Sequence, residues 1–223
     1  MRLIPALALA ASLAALPAAA CETPVCLVGA DTLSLARVIT FDDQPSSFGV
    51  GRQIDGLLIQ PGVSFGERFA GQTLSREGNF DRVGGTALAP LALLPGAPGQ
   101  TLGILRLMAT SVLHGHGPEG FPKPEATGEG AIAVLFENDQ SALAFDIRGG
   151  ELGEARVTFL RRDGRPIHTL RLGPLAEASY GFQRLDDIAD IAGLVIENSD
   201  PEGIAMDNLR FERNATLSLL TRR

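Results

Sequence analysis

The sequence predicts an all-β fold, a single antiparallel β-sandwich domain over residues 31–213, and three observations predict it. From Ala131 onward the segments AIAVLFEN, SALAFDIRGG, ARVTFLRRDG, PIHTLRLG, IAGLVIENSD and GIAMDNLRF follow one another at short spacing, separated by Gly, Asp, Asn or Pro turns. The apolar run 87–113 is cut by Pro90, Pro95 and Pro98 and by three glycines, so no helix spans it. Helical spacing occurs only in LDDIADIAG, where Ile188 and Ile191 allow one turn. About ten short strands without strand–helix alternation describe an antiparallel sandwich or barrel.

Taken in order, residues 1–20 read as a cleaved signal peptide: one Arg, an apolar run from Leu3 to Leu16, and small Ala18 and Ala20 before Cys21. Residues 21–30 form an N-terminal tie. Its two cysteines, Cys21 and Cys26, are the only ones in the chain and suit a local disulfide in an oxidising compartment. Lipidation of Cys21 after AAAC is the competing reading. LARVITFDDQP then reads as a strand ending in a Pro turn, and IDGLLIQPGVSFGERF as two short strands broken at Pro61-Gly62. HGHGPEGFPKPEATGEG, residues 114–130, has no hydrophobic period and dense Gly and Pro, the pattern of a long functional loop. Arg162-Asp163-Gly164-Arg165 is a hairpin turn between strands at 157–160 and 167–172. Residues 214–223 are a tail.

The 223 residues carry a formal net charge of −7 with no Lys/Arg-rich block, which argues against nucleic acid or an anionic membrane surface as partner. No run outside the leader approaches ~18 apolar residues, so no transmembrane segment is expected. The expected location is the periplasm or the cell exterior, free or anchored through Cys21.

Asp207 stands out. In regular strand alternation it shares a face with Leu209 and Phe211, and a carboxylate among core hydrophobes must be paired, protonated or metal-bound. If the first and last strands are neighbours, antiparallel pairing brings Asp42 and Asp43 to the same rim as Asp207. Carboxylates without His or Cys describe an oxygen-ligand site that suits Ca²⁺, with Asn208, Asp200 and Glu197 as secondary ligands. The plainer alternative is that these acids cap turns and bind backbone amides.

VITFDDQP, GLLIQPGVSFG and IAGLVIENSDPEGIAMDNLRF resemble exported bacterial proteins with an I-x-F-D-D-L-P opening and a G-[IV]-A-[IL]-D-[DN]-[LI]-x-F close, many of them PEP-CTERM-type surface proteins. The resemblance implies a jelly-roll-like sandwich of the galactose-binding-like kind, with Asp42, Asp43 and Asp207 holding a structural Ca²⁺. The closing TLSLLTRR lacks that group's C-terminal sorting signal.

Chemistry beyond binding has thin support. Gly62-Val63-Ser64-Phe65-Gly66 matches G-x-S-x-G, but nothing after Gly66 reads as the helix a nucleophile elbow needs. His114 and His116, with His168 the only other histidine, would make a three-His zinc site if the strand carrying His168 faces the loop. Glu67, Glu77, Asp81, Glu137 and Asp146 supply candidate carboxylate pairs. Sugar stacking is disfavoured by the absence of Trp and the single Tyr, leaving Phe121 as the aromatic expected to be exposed and Phe121, His114 and His116 as candidate binding residues. The expected function is a non-catalytic exported binding or structural module, stabilised by a cation, whose partner is a glycan or an envelope or surface protein. The alternative is an esterase-like hydrolase using Ser64 with a histidine.

Overall fold

The structure is a computed structural model and describes residues 22–213. Residues 1–21 and 214–223, on which the expected signal peptide, Cys21 and the expected tail fall, lie outside the described residues. The described chain forms β1 (Val25–Val28), β2 (Leu35–Ile39), β3 (Arg52–Gln53), β4 (Leu58–Gln60), β5 (Val63–Gly66), β6 (Arg68–Phe69), β7 (Gln72–Glu77), β8 (Phe80–Gly85), β9 (Leu93–Leu94), β10 (Leu102–Arg106), β11 (Ser111–His116), β12 (Thr127–Gly130), β13 (Ile132–Gln140), β14 (Ala142–Gly149), β15 (Ala155–Leu160), β16 (Pro166–Leu172), β17 (Ala178–Arg184), β18 (Ile191–Asn198) and β19 (Ile204–Arg213). The expected turn near 185–193 is a 3-10 turn at Leu185–Asp187.

These strands make two large antiparallel sheets. The nine-stranded sheet runs β1-β17-β14-β19-β11-β10-β3, with β12 added beside β11 and β2 beside β19; the six-stranded sheet runs β16-β15-β18-β13-β5-β4. Two ribbons, β6–β9 and β7–β8, stand apart. Apolar residues at every second position of both sheets meet in one core, and phenylalanines carry the contact between them. Phe182 of β17 packs on Phe159 of β15 at 5.2 Å, and Phe136 of β13 on Phe211 of β19 at 5.3 Å. The hairpin between β15 and β16 forms at the expected turn, where Gly164 takes φ 81° and its N–H donates to the Arg161 carbonyl.

Residues 114–130 are not one loop. His114, Gly115 and His116 belong to β11, residues 127–130 form β12, and only 117–126 are irregular, closed by a 3-10 turn at Pro124–Ala126. The glycines there serve a close strand pairing: a β-carbon on Gly130 would stand 2.6 Å from the carbonyl carbon of Gly115. A composition that signals a loop is here the signature of two backbones too near for side chains.

Candidate functional site

β2, the strand read from LARVITFDDQP, and the last strand β19 are neighbours, with Ile39 opposite Leu209 and Leu35 opposite Arg213. β19 meets β11 at Met206 and β2 from Leu209 onward, so the end of β2 and the start of β11 share one edge of β19. There the Ser111 N–H donates to Asp42 Oδ1 at 2.7 Å, and the Thr110 hydroxyl lies 3.2 Å from Asp42 Oδ1 and 3.4 Å from Asp207 Oδ2. Asp42 and Asp207 therefore converge as expected, joined by Thr110. Asp43 is exposed and makes no hydrogen bond to this group among the described residues.

Asp207 does not share a face with Leu209 and Phe211. On β14, Ala144 opposes Arg210 and Asp146 opposes Asp207, so the single residue Phe145 faces both Asn208 and Leu209. This bulge, with Asn208 at φ 46°, shifts the alternation by one: Ile204, Met206, Leu209 and Phe211 enter the core, while Asp207 turns to the outer face. Its partner is Arg148, whose Nη2 and Nε donate to Oδ2 at 3.1 and 3.3 Å; the Asn208 N–H donates to Oδ1 at 2.8 Å. Asn208 Nδ2 and Arg210 Nη2 both donate to Asp146, extending a polar row along the outer face. Glu197 is bound bidentately by Arg156, and Asp200 Oδ2 accepts the N–H groups of Glu151 and Gly153. Among the described residues no three His, Cys, Asp or Glu side chains are grouped to hold a metal ion.

His114 and His116 are fully buried, their rings edge-on at 4.6 Å, and Phe121 packs edge-on against His116 at 5.4 Å. Burial, reinforced by His116, lowers the His114 pKa to about 3, and burial lowers that of His116 to about 4, so both imidazoles are neutral in the fold. The pair belongs to the nine-stranded sheet and His168 to the edge strand of the other, so the three histidines do not meet. Both rings lie over Gly103, the cross-strand partner of His114: a β-carbon there would be 2.6 Å from His114 Nε2 and 2.9 Å from His116 Nε2. Gly103→Ala is therefore expected to cost about 1–3 kcal/mol by forcing the rings aside. A urea midpoint equal to that of wild type would show that the rings give way freely.

Ser64 sits inside β5, opposite Ile59 and Leu135, where no turn exposes its hydroxyl and no hydrogen bond joins it to a histidine among the described residues. The depression it lines contains Glu137 and Arg162 and no histidine. Cys26 is disulfide-bonded; the other half of the pairing expected from the sequence, Cys21, lies outside the described residues. Of the acids considered for a carboxylate pair, Glu67 and Asp81 are close enough to interact and are almost wholly buried. Burial and Asp81 push Glu67 up to about 8, with Arg68 opposing, and burial pushes Asp81 up to about 6 against the Ala131 N–H. Glu67 Oε1 has no hydrogen-bond partner among the described residues.

Concave surface occurs on both outer faces. On the six-stranded sheet, two adjoining cavities of about 290 and about 390 Å³ share Arg156 and Glu197 and form one cleft beside the β7–β8 ribbon. Side chains fasten the ribbon: Glu197 Oε1 accepts the Val83 N–H at 2.8 Å, and Arg82 Nη1 donates to the Asn198 carbonyl at 2.8 Å. Each guanidinium in the cleft has a carboxylate, with Arg82–Glu77 at 2.8 Å, Arg156–Glu197 at 2.7 Å and Arg171–Glu154 at 3.6 Å. Thr158 and Thr169 face each other across β15 and β16, hydroxyls 3.1 Å apart. On the nine-stranded sheet a cavity of about 190 Å³ lies beside Arg148.

Sequence reasoning missed Arg148, Thr110 and the cleft, whose residues carry no local motif. It also missed Phe48, which at 72% is far more exposed than Phe121 at 37%. Comparison with models of known protein families, with curated proteins and with solved structures finds no match.

Proposed function

We propose that the protein is a non-catalytic, exported binding module whose ligand is a neutral oligosaccharide held in the cleft beside the β7–β8 ribbon. The observation that carries this reading is the compensated lining: three Arg–Glu pairs and two threonine hydroxyls with no unanswered charge. A sugar hydroxyl both donates and accepts. A row that presents guanidinium N–H groups beside carboxylate oxygens meets both needs at each ring, whereas an anionic ligand would meet arginines whose charge is already neutralised and glutamates that repel it. An added peptide strand is disfavoured, because β15 and β18 on the floor of the cleft are paired on both sides. Recognition here rests on hydrogen bonding, in keeping with a chain that has no Trp. A glycan array probed with purified protein is expected to retain neutral oligosaccharides over uronate-containing and sulfated ones. A blank array would overturn the glycan reading and leave an envelope protein as the partner to seek.

A further inference from the structure

The cavity on the opposite sheet has a different chemistry. Leu105, Leu107, Val112 and Ala205 give it an apolar body, and Arg148, Glu177 and Glu202 line it as well. Its volume of about 190 Å³ slightly exceeds that of an engineered apolar cavity known to hold benzene, ~150 Å³. The charges do not balance. Arg148 is committed to Asp207, while Glu177 and Glu202 are exposed and neither forms an ion pair among the described residues. Thr127 Oγ1, also at this cavity, is buried without a hydrogen-bond partner among the described residues and offers a further acceptor.

We infer that this cavity binds a small primary amine carried on an apolar body about the size of benzene. The body fills the space over Val112 and Ala205, where it removes apolar surface from water. The ammonium stays at the two carboxylates, which a carboxylate ligand would find repulsive because Arg148, the only guanidinium among the described lining residues, is already neutralised. The site is independent of the oligosaccharide cleft: the two lie on different sheets and share no residue.

The test is an NMR titration of the purified protein with 2-phenylethylamine, 2-phenylethanol and 3-phenylpropionate, which carry the same ring on an amine, a neutral and an anionic group. The amine should bind at least about tenfold more tightly than the carboxylate at low salt, with the preference shrinking as salt is raised. Glu177→Gln with Glu202→Gln should weaken amine binding about fivefold to tenfold, since each exposed ion pair contributes modestly. These glutamates are surface residues, so that variant tests the charge argument even if a cavity-filling Ala205→Phe variant fails to fold. Where Ala205→Phe folds, it should abolish binding of the amine. Equal binding of amine and carboxylate, amine binding unchanged in the double glutamine variant, or no amine binding at millimolar concentration would overturn the assignment.

Discussion

Between about pH 6 and pH 9 the protein is expected to lose about 1.5 kcal/mol of stability, a fall in melting temperature of roughly 3–6 °C, and Glu67→Gln is expected to abolish that loss, because the histidines offset about half of the Glu67 contribution over the interval. The cause is burial of the Glu67 carboxyl next to Asp81, which raises its pKa from 4.5 to about 8. Through that interval the folded state binds a proton that the unfolded chain has released, so stability falls as pH rises and the loss is complete above the folded value. Asp81, raised from 3.8 to about 6, adds to the decline only at the acidic end. The histidines act with the opposite sign. His114 and His116 are lowered from 6.5 to about 3 and about 4, so the unfolded chain takes up protons first and stability falls as pH drops below the ordinary histidine value. Around pH 5 to 6 the two tendencies roughly cancel, and maximum stability is expected there. Thermal melts at pH 6 and 9 check the alkaline limb; parallel pH profiles for wild type and Glu67→Gln would refute the assignment to Glu67.

Arg148→Met is expected to destabilise the protein by about 3 kcal/mol, because it strands a buried carboxylate. Asp207 is 1% exposed and would keep only the Asn208 N–H and a long contact to Thr110. Replacing both partners, as Arg148→Met with Asp207→Leu, should recover most of the loss, since an apolar pair of similar volume removes the desolvation cost together with the attraction. Chemical denaturation of the two single variants and the double variant gives the coupling directly. The same pair bears on calcium. With a guanidinium answering Asp207, melting curves in calcium and in chelator should superimpose. A calcium-dependent rise in melting temperature that is lost in Asp207→Asn would show that a cation, and not Arg148 alone, balances this rim.

What the sequence revealed and what it concealed divide along physical lines. Strand periodicity and the Arg162–Arg165 turn act over a few residues, so the all-β class and the β15–β16 hairpin were legible. The meeting of Asp42 with Asp207 was legible too, because antiparallel neighbours place one strand's end beside the other's start. The face of Asp207 was not, since a one-residue bulge at Asn208 inverts an alternation that looks regular in GIAMDNLRF. His114 and His116 were misplaced in a loop because glycines that permit the close β11–β12 approach look the same in sequence as glycines that permit a turn. Arg148 and the cleft residues Arg156, Glu197, Thr158 and Thr169 stand at ordinary outward positions of strands. Their significance comes from which strands the topology makes adjacent, and no local pattern encodes that.

The most direct test of the binding account is a calorimetric titration of wild type and Thr158→Tyr with the neutral oligosaccharide retained most strongly on the array. Thr158 lies on the outward face of β15, where a tyrosine ring fills the cleft without entering the core. Saturable binding is expected for the wild type and none detectable for a Thr158→Tyr protein of unchanged melting temperature. Equal affinity for the two proteins would contradict that expectation and place the ligand elsewhere.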